Sequence, residues 1–209
     1  MEQRLVIVLA AAAAALLLLM PAPVPPEDVD DEPQYEPPDA IDHATAIFQE
    51  VGELMFESGT NNNEAANLAA FMWMIRVSEG TSGPNGYRTI VGGSLFDSFA
   101  AHPNQKIWLP NLRIHSTAAG AYQNLRRTWD GVRAKLKLPD FSPASQDKAA
   151  IELIRQRGAL ADVRAGRFAV AVEKCKKEWA SLPGAGYGQR ENKLATLQAA
   201  YTKAGGTIA

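Results

Sequence analysis

The chain has 209 residues, 46% hydrophobic and 21% charged, which allows one domain of about 100 to 200 residues plus an appendage and excludes a wholly disordered protein. One cysteine, Cys175, excludes an intramolecular disulfide. The net charge of −2 hides a division. No Lys or Arg lies between Arg4 and Arg76, and twelve Asp and Glu fall between Glu27 and Glu64. From Ala65 onward twenty Lys and Arg face ten acids. A basic surplus of that size draws a domain toward anionic polymers (nucleic acid, cell wall or lipopolysaccharide) or forms a solvated cationic surface.

Leu5 to Met20, LVIVLAAAAAALLLLM, is uncharged and apolar. As a helix it would span about 24 Å against a hydrocarbon core of about 30 Å, enough for export and marginal for lasting anchorage. Arg4 precedes it and only acids follow. The expected orientation carries the remainder across the inner membrane to the periplasm, with residues 1–20 as an export signal or signal-anchor that is cleaved, released or retained. Residues 21–62 read as an acidic, Pro-rich linker. Within it Ile41, Ala44, Ile47, Phe48, Val51 and Leu54 or Met55 mark one face of a short amphipathic helix that docks on the following domain or lies on a membrane surface, the lack of any basic residue favouring docking.

Residues 63–209 read as one compact α+β domain, mostly helical. Leu68, Phe71, Met72 and Ile75 mark one face of a helix over Ala65 to Ser78. Gly83-Pro84-Asn85-Gly86 is a turn, followed by a β-like run from Tyr87 to Gly93 and an irregular hairpin region reaching Ser116. Four more helices are expected, over Ala118–Leu136, Ser142–Arg157, Arg167–Ala180 and Gln189–Ala204. A small β patch between a first helix and a helical lobe leaves a cleft between two lobes.

No metal set or cofactor motif is visible, since His43, His102 and His115 are isolated. Cys175 falls on the apolar spacing Phe168, Ala171, Val172, Cys175, Trp179, which points to a buried, inert thiol. No nucleic-acid module is present, and no nucleic-acid partner is expected. Glu79, where an apolar helix stops at Gly80, has three readings: a solvated charge, a cap, or an acid held in a partly dry cleft. Residues 115–123 enter the next helix through small residues, and residues 182–189 place Tyr187 and Gln189 in a glycine-rich loop of the kind that carries binding groups.

Ser78-Glu79-Gly80-Thr81, Ile90-Val91-Gly92-Gly93, Asp140-Phe141-Ser142-Pro143, Ser145-Gln146-Asp147, Arg157-Gly158-Ala159-Leu160 and the run from Trp179 to Gln189 occur in order over residues 63–209. Together they resemble the lambda-type endolysins, a family of lytic transglycosylases. The resemblance implies a lysozyme-like fold and a monomer acting on peptidoglycan glycan strands. It implies cleavage of the β-1,4 bond between N-acetylmuramic acid and N-acetylglucosamine for phage lysis; the alternatives are a membrane-tethered bacterial wall-remodelling transglycosylase, a hydrolytic muramidase or a catalytically silent wall-binding module. It makes Glu79 the sole catalytic acid, with Asp97, Asp130 and Asp140 in turn or exposed contexts. Tyr122, Gln123, Tyr187 and Gln189 are expected to hold sugar groups or, alternatively, to shape the loops through structural hydrogen bonds.

Overall fold

A computed structural model describes residues 62–187 and 191–209. The expected export segment, the linker with its amphipathic helix, and Gln189 lie outside the described residues. No helix among the described residues is long and apolar enough to cross a membrane.

The element order is α1 (Asn62–Ser78), a short 3-10 helix (Gly86–Arg88), β1 (Ile107–Leu109), β2 (Ile114–Ser116), α2 (Arg126–Leu136), α3 (Pro143–Gln156), α4 (Leu160–Arg164), α5 (Phe168–Cys175) and α6 (Leu194–Lys203). This is the mostly helical α+β arrangement that the sequence implies. The two strands form an antiparallel hairpin in which Ile107 pairs with Ser116, Trp108 with His115 and Leu109 with Ile114.

α1 is the hub. The expected face is buried, but Ala69, Ala70, Trp73, Met74 and Arg76 are buried as well. A helix enclosed on nearly all sides replaces the one-faced helix inferred from spacing, because α6, α4 and α3 all pack on it. Each large apolar side chain sealed there contributes about 1.5–3 kcal/mol of burial. Phe71 meets Phe168 edge-on at 6.2 Å, and Phe168 in turn packs against Tyr201 at 4.9 Å. Near its start, the Asn67 amide donates to Arg164 O at 2.9 Å and its carbonyl oxygen accepts from Thr207 N at 2.8 Å, tying the C-terminal segment to α1.

Several boundaries differ from those expected. The run after Gly86 forms a 3-10 turn and single bridges, Thr89 with Leu95 and Ile90 with Ala119, rather than a continuous strand. α2 begins at Arg126, not Ala118, because Gly120 and Gln123 adopt positive φ (79° and 46°) and close a tight turn bridged by Ala119 and Asn124. α5 stops at Cys175 and α6 starts at Leu194, both inside the expected spans, while the five-residue α4 has no spacing signature of its own. α3 matches closely: Ser142 caps it and Pro143 opens its first turn. Cys175 is buried, and burial pushes its thiol up to about 12, as an inert core cysteine requires.

The Gly120 turn is packed against Gln146, whose Oε1 accepts from Ala121 N at 2.8 Å while Nε2 donates to Phe141 O at 2.8 Å. A Cβ on Gly120 would stand 2.2 Å from Gln146 Oε1, in a left-handed conformation that disfavours side chains. Gly120→Ala is expected to destabilise the protein by about 2–5 kcal/mol, read as a lower Tm in thermal denaturation; an unchanged Tm would contradict the packing described.

Candidate active site

The site is built at the C-terminal end of α1. Gly80, at φ 72°, ends the helix with Gly80 N donating to Val77 O and Thr81 N to Arg76 O, the paired bonds of a Schellman cap. Glu79 is thereby fixed as the capping residue just past Ser78, its N–H still donating to Ile75 O at 2.9 Å. Ile75 and Met74 are sealed from solvent behind it, and Val77 is half-buried.

Glu79 is 2% exposed. Ser181 Oγ donates to its Oε1 at 2.6 Å, and Oε2 is buried with no partner. Burial pushes the Glu79 carboxyl from 4.5 up to about 8, opposed only partly by the Ser181 hydrogen bond. The negative end of the α1 dipole acts in the same direction as burial. No ion pair involves Glu79 among the described residues, although Arg76 lies three positions away and is 1% exposed. The Arg76 guanidinium stacks over Tyr87 at 4.6 Å and Trp73 at 5.3 Å instead. Tyr87 Oη then lies 2.9 Å from Asp147 Oδ1, so this buried cation and buried carboxylate are joined through a tyrosine.

Behind Ser181 stand two further groups. Ser78 Oγ is 2.7 Å from Ser181 Oγ, and Asn192 Nδ2 lies 3.1 Å from Ser78 Oγ and 3.2 Å from both Ser78 O and Ser181 O. Glu191 closes the preceding loop by accepting from Gly184 N and Gly186 N, each at 2.7 Å. Ser78 and Ser181 stand in blocks of the family pattern, but nothing local indicates that they meet, since they are 103 positions apart. Asn192 carried no sequence signal.

The other expected residues separate. Tyr122 and Gln123 are each 1% exposed. Tyr122 Oη donates to Asp147 Oδ1 at 2.5 Å; Gln123 Nε2 donates to Gly120 O at 2.9 Å and sits 3.1 Å from Thr89 O. Their donors are turned inward, the arrangement of loop-shaping groups. Tyr187 is half-buried, with Lys177 Nζ 5.1 Å from its ring centre. His102 is also structural: its Nδ1 accepts from Asn104 N at 3.1 Å, which leaves Nε2 as the donor to Asn124 O at 2.9 Å. Its pKa is lowered by burial.

A sequence model of the Endolysin family matches residues 69–208. The chain belongs to the endolysin family. It is 46% identical over 145 residues to the endolysin of Escherichia phage lambda, covering 66% of this chain and 91% of the lambda protein. With the endolysin of Escherichia phage P2 the identity is 47% over 161 residues, covering 70% of this chain and 98% of the P2 protein. A solved structure of bacteriophage lambda lysozyme complexed with a chitohexasaccharide superposes with a TM-score of 0.66 at 43% identity, covering 69% of this chain and 97% of that one. Another structure of the lambda lysozyme gives 0.63 at the same identity. The fold is thus lysozyme-like, and the protein is a peptidoglycan-degrading enzyme of phage lysis.

Membership corrects the expected export to the periplasm. The lambda and P2 endolysins are matched over 91% and 98% of their lengths by about two thirds of this chain, and the family match begins at residue 69. The enzyme's relationship thus gives no support to residues 5–20 as an export segment or signal-anchor. The described residues supply no membrane-crossing helix in its place.

The raised Glu79 pKa has a stability consequence whose sign is fixed. Between pH 4.5 and about 8 the native state keeps a proton that the unfolded chain has released, so stability falls as pH rises through that window. Glu79→Gln cannot ionise and removes this slope. Its Tm is expected to exceed that of the unsubstituted protein at pH 8 and to converge with it below pH 4.5; parallel Tm curves across the range would contradict the burial assigned to Glu79.

Proposed function

We propose that this endolysin cleaves the bond between N-acetylmuramic acid and N-acetylglucosamine by lytic transglycosylation, with Glu79 as acid and then base. The reading is supported by one observation: Glu79 is buried, Ser181 Oγ is its one hydrogen-bond partner, and among the described residues no ion pair or hydrogen bond joins it to another charged group. Hydrolysis by the usual pair of carboxylates needs a second group about 5–9.5 Å from the first. The other acids with resolved partners are engaged elsewhere. Asp130 pairs with Arg126, Glu152 with Lys135 and Arg155, Asp162 with Arg167 and Lys174, and Glu178 with Arg157. Asp140 caps α3 through Ser142 and Ser145, and both Glu191 oxygens accept backbone N–H groups.

In the proposed reaction Glu79 gives its proton to the glycosidic oxygen as the bond from muramic acid C1 breaks. The resulting carboxylate takes the proton of the muramic acid C6 hydroxyl, whose oxygen bonds to C1. The products are a 1,6-anhydro end and a free N-acetylglucosamine hydroxyl. No water is consumed, and Glu79 ends protonated, ready for the next cycle. A carboxyl held near pH 8 suits both halves: it is neutral at physiological pH, yet close enough to that pH for its anion to form.

Glycan strands as substrate are supported by the chitohexasaccharide bound to the related lambda lysozyme. Within this reading Tyr122 and Gln123 shape the turn that faces Thr81, whose Oγ1 donates to Ala121 O, and Tyr187 is the described candidate for direct sugar contact.

Glu79→Gln is expected to fold and to lose wall-clearing activity by about a hundredfold to ten-thousandfold. Mass spectra of purified peptidoglycan digested by the unsubstituted enzyme should show muramic acid ends lighter than reducing ends by one water. Reducing ends alone would establish hydrolysis and require a second acid or a water-activating group.

A further inference from the structure

The hydroxyl chain behind Glu79 has a direction, and that direction is readable without seeing a hydrogen. Asn192 faces two backbone carbonyls, Ser78 O and Ser181 O, each at 3.2 Å. Only the NH2 end of an amide can face two acceptors, so this atom is Nδ2 and it carries donors alone. Ser78 Oγ, 3.1 Å away, can therefore face it only as an acceptor, sharing one of its two hydrogens with a neighbouring carbonyl. The Ser78 hydrogen is then free for Ser181 Oγ at 2.7 Å, and the Ser181 hydrogen for Glu79 Oε1 at 2.6 Å.

The opposite direction fails on Ser78. Were Glu79 Oε1 to carry the proton and donate to Ser181, the Ser181 hydrogen would turn to Ser78 Oγ. Ser78, 2% exposed, would then face donors from both Ser181 and Asn192, leaving its own buried hydrogen without an acceptor, which is costly.

We propose that Asn192, Ser78 and Ser181 form a one-way hydrogen-bond relay that makes Glu79 Oε1 an acceptor and confines the catalytic proton to Oε2. These three are positioning residues; Glu79 alone meets the substrate. The inference rests on Glu79 being the acid and adds which oxygen works. Oε2 is the oxygen with no protein partner, so its proton is uncommitted until a glycosidic oxygen arrives. When that proton leaves, the new negative charge is met at Oε1 by the Ser181 hydroxyl. The same Oε2 then takes the C6 hydroxyl proton. Transglycosylation needs one group to give and then receive on the same face of the sugar, and a fixed acceptor on the other oxygen enforces that.

The relay also links the acid to the loop that follows Ser181. Asn192 N donates to Ser181 O at 2.9 Å, and the neighbouring Glu191 holds Gly184 and Gly186, so the two ends of the loop around Tyr187 are fastened to the group that orients the proton.

The test is the basic limb of the kcat pH profile on purified peptidoglycan, measured with the full chain. In Ser181→Ala the anion loses its sole donor: the limb is expected to move upward from about 8, and the plateau kcat to fall about tenfold to a hundredfold. Ser181→Thr, which keeps the hydroxyl, should restore both. The sign discriminates, because simple loosening would wet the carboxyl and move the limb downward. A limb unmoved or lowered in a folded Ser181→Ala would overturn the relay. If that variant does not accumulate, Asn192→Ala at a half-buried position should give a smaller upward displacement, and none there would overturn it equally. Glu79→Gln, assayed alongside, separates the two claims: activity in that variant removes Glu79 as the acid, whereas inactivity with an unmoved Ser181→Ala limb removes the relay alone.

Discussion

A carboxyl group sealed at the end of a buried helix, with one hydroxyl for a partner, is the constraint on which the site depends. Water would hold Glu79 near 4.5; exclusion of water moves it to about 8. That change needs a helix enclosed on several sides, a cap that stops it at Glu79, and a neighbouring segment that offers one hydrogen bond and no charge. α1 supplies the first, Gly80 the second and Ser181 the third. A lysine or arginine beside Glu79 would favour its ionised form.

The handling of Arg76 shows how tightly that requirement is met. It is a buried cation three positions from the acid, and the obvious partner for it would be Glu79. The chain instead stacks it over Tyr87 and Trp73, and Tyr87 passes the contact to Asp147, which also accepts from Tyr122. Burial raises the Tyr122 hydroxyl well above its usual range, with the Asp147 charge adding to it, so it remains a donor throughout the working pH range. Two buried charges are thus placed in a network of their own, leaving the acid neutral. Losing one member of such a network leaves the others buried without compensation, which costs more than the pair contributes.

Much of this was legible in the sequence where the cause is local. The apolar spacing gives α1 its position, Ser142-Pro143 gives α3 its start, and the Glu79-Gly80 junction marks the acid and its cap. What was not legible is non-local or runs against local preference. α2 starts later than its spacing suggests because Gln123, a good helix former, is held at positive φ by its own bonds to Gly120 and Thr89. Tyr122 and Gln123 looked like cleft residues because they sit in a shared block, yet their donors serve the interior. Ser181 meets Glu79, and Asn192 meets Ser78, across more than a hundred positions, a closeness that no local pattern encodes. Sequence charge was a poor guide at the N-terminal end: the apolar run at Leu5 to Met20 suggested export, whereas kinship with the lambda and P2 endolysins concerns the catalytic part of the chain.

Burial raises the Glu79 carboxyl far enough for it to stay protonated at physiological pH. Infrared difference spectra of the unsubstituted protein against Glu79→Gln, followed over pH, observe that carboxyl directly. A protonated-carboxyl band is expected at neutral pH, absent from Glu79→Gln and lost with a midpoint near 8. A band that disappears near the ordinary value of 4.5 would contradict it.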